Sequence, residues 1–410
     1  MCLNKKNIGF VSTWLERGAT MVTKMYIQSL INHHNIYVFA RGGEYIDRSL
    51  QVPLVKVTNG YRLGGTKIDY KQFKKWILTN KIDLIFFNEQ SDIDIVYKTK
   101  LTFPKVIIGS YIDYYKENTI DEFAIYDFLI CNTRRHYSVF SKFEQTYYVP
   151  WGVDLELFMH NSFSIDNEKL VFFHSMGMSD RKGTDVLIEA FIEGGFSFKN
   201  SKLIIHTQKN IDNLIGPLKN IDSGIEVILQ EVKAPGLYHL GDIYVYPTKL
   251  DGLGLTMYEA LSCGLPVIAT NEAPMNEIIN EEIGKLLRVS MNTCRSDAYY
   301  WPQAHIDKKS LIDAMNYYIE NKNNLIELKM RARNYAEKNL NFNERMPEIR
   351  KIFDNVYSKD IELANIKKVI NKKARDARQD FIHNSIEQFS PNKIKHLIRK
   401  QIEKRRYGNH

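Results

Sequence analysis

The stretch DGLGLTMYEALSCGLP, residues 251–266, holds two carboxylates, Asp251 and Glu259, eight positions apart with two glycines between them. Before it, IYVYPT (243–248) reads as a buried strand and KLDGLG as its exit loop; LTMYEALSC reads as the helix that follows, ended by Gly264. Gly252 and Gly254, on either side of Leu253, allow backbone dihedrals and a close approach that a side chain would prevent. The leading N–H groups of the helix, at Leu255 and Thr256, have no acceptor within it and make an anion site whose natural occupant is phosphate. Glu259, about one turn further on, can take hydrogen bonds from two neighbouring hydroxyls, as a ribose presents them. Asp251 stands on the other side of the loop and suits the hydroxyls of a second group. A phosphate between two polyols describes a nucleotide sugar. The opposing reading, a helix-start charge and a solvated surface acid, leaves the glycines unexplained.

Elements able to carry such a loop recur along the chain. NIGFVST (7–13), NIYVFA (35–40), DLIFFN (83–88), KVIIGS (105–110) and DFLICN (127–132) are short runs rich in Ile, Val and Phe, bounded by turn or charged residues, as parallel strands buried on both faces should be. Amphipathic segments such as TMVTKMYIQSLINH and DYKQFKKWILTN lie between them. The polar stretch HNSFSIDNEK (160–169) interrupts the rhythm, which resumes with LVFFHS, KLIIHT, IEVILQ, IYVYPT and LPVIAT. The pattern predicts an α/β protein of two Rossmann-like, doubly wound parallel-sheet domains, residues 1–160 and 161–345, facing across a cleft. Residues 346–410 form a C-terminal appendage of helices and basic tail. Ligands of such sheets sit beyond the carboxyl ends of the strands, so each strand-to-helix loop is a candidate site.

At 410 residues the chain is too long for one ordinary core, and its 44% hydrophobic and 25% charged residues are those of a globular protein. No run approaches the ~18 uninterrupted apolar residues of a membrane span. The apolar part of MCLNKKNIGFVSTWLERG is too short for a secretory signal and reads as a first strand, so the expected location is the cytoplasm. Cys2, Cys131, Cys263 and Cys294 are scattered, without zinc-site spacing, and are expected to be reduced thiols. Positions 1–360 hold 43 basic and 43 acidic residues, so the net charge of +8 belongs wholly to residues 361–410. Within that tail, Ser390 and Pro391 read as an N-cap and first helical position; Ile394, Leu397, Ile398 and Ile402 then share one face, and Lys395, Arg399, Lys400, Lys404, Arg405 and Arg406 cover much of the rest. A basic amphipathic helix over 390–410 suits an anionic surface at the inner face of a membrane. The same pattern suits a helix packed on the body with its charges in water. The tail lacks the interleaved aromatics that stack on bases, and no nucleic-acid partner is expected.

Together these motifs resemble the retaining glycosyltransferases of the GT-B fold, specifically glycosyltransferase family 4. The family's E-x7-E signature runs as an acidic residue, GxGL, EA and CGxPVI, and the chain reads DGLGLTMYEALSCGLPVIAT. SDRKGTDVLIEAF (179–191) resembles the family's RKG segment, whose basic pair grips the donor diphosphate, which implies that role for Arg181 and Lys182. WGVDLELF (151–158) resembles the GVDxxxF junction between domains, and PMNE (274–277) a segment that follows the signature. Three departures stand out. Asp251 takes the place of the family's usual Glu and is one methylene shorter. The histidine that members often carry after the fifth strand, near the reacting carbon, is absent from GSYIDYY, where Asp113 becomes the candidate acceptor-side residue. The glycine-rich first loop is reduced to ERGAT, leaving Gly18 as the position of close approach to the donor.

The resemblance implies transfer of a sugar from a nucleoside-diphosphate sugar to a glycan or lipid-linked acceptor, in the synthesis of cell-surface polysaccharide or glycoconjugate. It also implies retention at the anomeric carbon by a same-face mechanism in which the leaving phosphate takes the acceptor proton. Negative charge grows on that phosphate, and Arg181, Lys182 and the helix start at Leu255–Thr256 answer it, with Asp251 beside them. With two cations and a helix terminus at hand, no metal or other cofactor is required. Asp92-Ile93-Asp94 copies the metal-binding DxD of the other major glycosyltransferase fold, but it lies in a predicted helix and reads as a chance match. The rival reading is a catalytically silent module of the same fold that binds nucleotide sugar or glycan. His174 and His206, at predicted strand ends, read as structural; Tyr111, Tyr114 and Tyr115 suit stacking on an acceptor sugar and packing equally.

Overall fold

Each half of the chain winds a parallel sheet, and the computed structural model describes residues 5–15, 17–41, 47, 50–61, 63–159, 169–216 and 223–362, with Asn365, Lys368, Asn371 and Arg375 beyond. The basic helix anticipated from Ser390 lies outside the described residues. In the first half, β1 (Asn7–Ser12), α1 (Gly18–Leu30), β2 (Asn35–Ala40), β3 (Lys56–Asn59), α2 (Tyr70–Asn80), β4 (Leu84–Asn88), α3 (Asp94–Thr102), β5 (Ile107–Tyr111), β6 (Phe128–Cys131), α4 (Arg134–Phe140) and β7 (Thr146–Tyr148) succeed one another. Their strands form one sheet in the order β3-β2-β1-β4-β5-β6-β7. The second half runs β8 (Leu170–Gly177), α5 (Thr184–Glu193), β9 (Ser201–Thr207), α6 (Asp212–Ile215), β10 (Ile225–Leu229), β11 (Ile243–Tyr246), α7 (Leu255–Ser262), β12 (Val267–Thr270) and β13 (Gly284–Leu287). Its sheet order is β10-β9-β8-β11-β12-β13. An antiparallel hairpin, β14 (Val289–Thr293) and β15 (Gln303–Ile306), precedes α8 (Lys308–Glu320), α9 (Leu325–Asn339) and α10 (Met346–Asn355).

Both sheets are doubly wound, as the alternating apolar runs predict. Their orders reverse between β1 and β4 and between β8 and β11, and it is at the carboxyl ends of such points that these sheets take ligands. All ten apolar runs are strands. In the two parallel sheets the strands without such a run, β3, β7 and β13, are three or four residues long and lie at sheet edges, where partial exposure admits polar side chains and removes the signal.

Buried aspartates fix where strands begin in both domains. Asp127, ahead of β6, accepts the Ile108 N–H at 2.7 Å and takes Lys100 of α3 at 2.6 and 2.7 Å. Asp242, ahead of β11, accepts the Val171 N–H at 2.9 Å and takes Lys329 of α9 at 2.6 Å. Cys131 and Cys263 are buried and Cys294 exposed, all as free thiols. Among the described residues no helix is long and apolar enough to cross a membrane.

Among the described residues the chain passes between the domains twice, and the two crossings are hydrogen-bonded to each other. Val153 N–H donates to the Leu340 carbonyl at 2.7 Å, and Phe342 N–H to the Val153 carbonyl at 3.1 Å. A Cβ on Gly152 would lie 2.7 Å from the Phe342 Cα, so the contact requires glycine there. After the second crossing α10 joins the first domain, where Phe353 packs on Phe10, Phe86 and Phe128 with ring centroids 6.3, 5.1 and 5.5 Å away.

Candidate active site

The β11–α7 turn is the loop that the two carboxylates flag, and the structure shows what its residues do. Gly254 caps α7 with φ at 77°, a left-handed conformation that glycine adopts without strain. Asp251 reaches back over the turn: Oδ1 accepts the Gly254 N–H at 3.1 Å, while Oδ2 accepts from the Tyr246 hydroxyl and the Lys182 ammonium, both at 2.5 Å. Lys182 also donates to the Tyr246 oxygen at 2.7 Å. It comes from the β8–α5 turn, which lies directly on the β11 exit because a Cβ at Gly183 would fall 2.1 Å from the Pro247 carbonyl oxygen. Burial alone would raise the Asp251 carboxyl, but the Lys182 charge and the hydrogen bonds from Lys182 and Tyr246, joined by Arg181, hold it well below the ordinary carboxylate range.

The first domain supplies the opposite wall. Gly18 opens α1 so close to α7 that its Cβ would meet the Leu255 side chain at 3.3 Å. Asp113, just beyond β5, lies with its carboxylate against Gly252, where a Cβ would come within 1.8 Å of Oδ1. Burial first, and the Asp251 charge second, push the Asp113 carboxyl up to about 6, against the pull of Arg135, Arg181 and Arg295. Gly18, Asp113, Arg181, Asp251–Leu253 and Leu255 line one cavity of about 190 Å³. A second cavity, also about 190 Å³, lies between Thr256 and Glu259 on one side and Ser175, His206 and Val232–Tyr238 on the other. A third, about 380 Å³, joins Gly18, Leu255 and Glu259 to Lys24 and Lys233. Shared residues make the three a single interdomain cleft. Lys182 and Gly254 line none of them: one stands behind Asp251 and the other shapes the turn. Glu259 accepts from Tyr238 at 2.5 Å through Oε2, and its other oxygen has no partner among the described residues. Burial raises its carboxyl, against Tyr238 and Lys182.

Residues with no mark in the sequence complete the wall. The loop between β14 and β15 crosses to the first domain: Tyr299 donates to the Asp113 carbonyl at 3.0 Å, Tyr300 N–H to the Tyr115 carbonyl at 3.0 Å, and Trp301 Nε1 to the Tyr115 hydroxyl at 2.6 Å. Tyr114 stacks on Tyr299 at 5.2 Å and Tyr115 is buried, while Tyr111, also buried, borders the cavity that holds Asp113 and Asp251. Arg295 enters the first cavity with Nε and Nη2 forked on Asp297 at 3.0 and 2.5 Å. Glu277, within PMNE, accepts the Arg134 and Arg135 N–H groups at the start of α4, at 2.6 and 2.8 Å. Arg135 donates to the Ala273 and Asp251 carbonyls. His174 has both ring nitrogens occupied, by the Val245 carbonyl and the Thr184 hydroxyl, each at 2.8 Å, and burial lowers it to about 4. His206 lines the second cavity with its nitrogens on Ser175 and Gln230. Asp92 accepts the Asp94 N–H at 3.2 Å where α3 begins.

Residues 167–295, which carry the Arg181–Lys182 turn and α7, match the family model described as Glycosyl transferases group 1. An uncharacterized glycosyltransferase of Methanocaldococcus jannaschii is 30% identical over 117 residues, 27% of this chain and 32% of the relative. O-antigen chain mannosyltransferase B of Escherichia coli is 38% identical over 47 residues, 12% of each chain. The chain thus matches a third or less of the length of these curated relatives. Among solved structures, sucrose-phosphate synthase from Thermosynechococcus elongatus superposes with TM-score 0.70 at 16% identity, over 85% of this chain and 98% of that one. Anabaena HepE in complex with UDP and glucose gives 0.68 at 14%, over 86% and 100%. At such identities the likeness establishes the fold, two Rossmann-like domains of GT-B type. Over residues 167–295 the chain is similar to the group 1 glycosyl transferases.

Proposed function

We propose that the chain is a retaining, metal-independent glycosyltransferase of family 4 that moves a sugar from a nucleoside-diphosphate sugar to a glycan or lipid-linked acceptor, in the synthesis of cell-surface polysaccharide or glycoconjugate. One observation carries the reading. The α7 N-terminus, Arg181 and the Lys182–Asp251 pair meet at the carboxyl ends of β8 and β11, and Gly18 and Asp113 close the cleft from the other domain. In this reading the free oxygen of Glu259 takes the ribose hydroxyls, and the diphosphate lies on the α7 N-terminus beside Arg181. Lys182, held at the ready by Asp251 and Tyr246, turns its charge to the phosphate as that group departs. Gly252 and Asp113 bound the space for the sugar. The bond from the anomeric carbon to the phosphate oxygen breaks, with its electron pair passing to that oxygen. The acceptor hydroxyl bonds the anomeric carbon from the same face and gives its proton to the departing phosphate. Preorganised cations and N–H groups around the developing charge supply the acceleration. The reaction takes place in the cytoplasm, with the tail over 390–410 on an anionic membrane.

A thermal-shift screen of nucleotide sugars tests the donor class. UDP-glucose goes first, because HepE is also solved with UDP-glucose. Product analysis by NMR then reads the anomeric configuration, with and without chelator. Donor binding with neither transfer nor hydrolysis would leave the silent-module reading standing. An inverted product would overturn retention, and a loss of activity to chelator that magnesium reverses would overturn metal independence.

A further inference from the structure

Residues 51–82 contain seven basic residues and one acid, Asp69, in a body whose charges balance as a whole. Three of these basic residues lie on the exposed face of α2. In α2, Lys71, Lys74, Lys75 and Leu78 follow the spacing of a single helical stripe and are exposed, while Phe73, Trp76, Ile77 and Asn80 fill the buried stripe opposite. Asp69 is committed to capping the helix, where it accepts the Gln72 N–H at 2.7 Å. Lys67, Lys71, Lys74, Lys75 and Lys81 have no carboxylate partner among the described residues. A solvated helix face ordinarily interleaves opposite charges at such spacings, and this one sets like charges side by side.

The edge strand extends the same platform. Lys56 donates to Asn80 at 3.3 Å, Tyr61 N–H to Gln72 at 2.9 Å, and Gln72 to the Asn59 carbonyl at 3.0 Å, so β3 and α2 are fastened along their length. The ends of β3 present Leu54, 84% exposed, and Tyr61, 63% exposed; Leu78, among the α2 lysines, is 57% exposed. Apolar side chains rimmed by unpaired ammonium groups fit the headgroup region of a negatively charged bilayer, where the cations meet phosphate and the apolar groups leave water. The platform also adjoins the acceptor side of the cleft. Thr66 accepts from Gln90 and from the Asp92 N–H, each at 2.8 Å. Gln90 and Ser91 line a cavity of about 480 Å³ with Tyr114, and Tyr114 also borders the cavity that holds Asp113 and Asp251.

We infer that this face, the β3 edge with the exposed stripe of α2, docks on an anionic lipid bilayer. The docking is separate from the tail over 390–410 and independent of the donor chemistry; only its value for delivering a lipid-linked acceptor rests on the proposed function. Full-length protein is sedimented with phosphatidylcholine vesicles and with mixed phosphatidylcholine–phosphatidylglycerol vesicles over a range of salt. The wild type binds the mixed vesicles selectively and less as salt rises. Lys71→Gln, Lys74→Gln and Lys75→Gln together lower the partition coefficient about 100-fold, three charges at about 1 kcal/mol each. Tyr61→Ser with Leu78→Ser removes most of the binding that persists at high salt. Melting temperatures equal to the wild type's show that the variants are folded. The inference fails if the wild type does not prefer the anionic vesicles, or if the triple variant binds them as the wild type does, which would assign the attraction to the tail. It fails equally if the triple variant loses only its binding to RNA. The UDP-glucose thermal shift, read on the same preparations, tests the proposed function on its own.

Discussion

Replacing Asp113 by Asn should stabilise the ligand-free protein by an amount that depends on pH. Its carboxyl is pushed to about 6, from an ordinary 3.8, by burial and then by Asp251 across the cavity. Between those values the native protein keeps a proton that the unfolded chain has released, so stability falls as the pH rises through that interval and stays lowered above it. About two units at 1.36 kcal/mol each come to about 3 kcal/mol. Asparagine keeps the shape and removes the charge. Below about pH 4 the two proteins carry the same neutral group and should melt together; above about pH 7 the variant should lead by about 3 kcal/mol, or about 6–12 °C for a domain of this size. Differential scanning calorimetry of both proteins across that range measures the gap; groups that do not interact with Asp113 cancel in the difference, and Asp251, which does, is kept ionised across the range by Lys182 and Tyr246. A gap that does not change with pH, or a variant that melts below the wild type at neutral pH, refutes the reasoning. The wild type therefore bears the cost of an ionised carboxylate at the place where, in the proposed reaction, sugar and acceptor meet.

Glu259→Gln should weaken UDP-glucose binding by about 1.5–3 kcal/mol in isothermal titration, since an amide forfeits charge-assisted acceptance from the ribose; unchanged affinity would remove the ribose assignment. Lys182→Ala should lower turnover more than donor affinity, because its charge acts on the phosphate as it leaves. Equal losses in steady-state kinetics and binding would contradict that role. Lys329→Met strands the Asp242 carboxylate in a buried place and should cost about 3–5 kcal/mol of stability, much of it returned by adding Asp242→Asn. A single variant that melts with the wild type would show that the pair contributes nothing.

The parts of the site that were legible in sequence are those whose signal is local. Gly252 and Gly254 mark a turn no side chain would tolerate, and the run from Leu255 to Gly264 marks its helix with a start and a stop. The Lys182–Asp251–Tyr246 triangle was not legible. It exists because Gly183 lets one turn lie on the next, and Tyr246 at a strand end looks like any other core aromatic until Asp251 folds back onto its hydroxyl. Arg295 and Tyr299 were silent for a related reason: they sit in an aperiodic loop whose partners lie far off in sequence, Tyr114 and Asp297 being separated by 183 positions. At the fold level the central strands announce themselves through unbroken apolar runs, and so does β10 at one edge, whereas the edge strands β3, β7 and β13 do not.

The return of α10 to the first domain fixes an order of assembly. Phe353 is fully buried among side chains from β1, β4 and β6, and Lys6 donates to the Phe353 carbonyl at 2.7 Å across 347 positions. A ribosome has to make the whole second domain before that phenylalanine exists. The strands and helices from β8 to α9 are contiguous and can close on one another as they emerge, while Phe10, Phe86 and Phe128 remain without their cover. Vectorial synthesis therefore completes the later half first and holds the earlier half as an unsealed, apolar sheet, the kind of intermediate that chaperones capture. A pause in translation anywhere between β8 and α9 would prolong that exposure, and a nonsense mutation there would make it permanent.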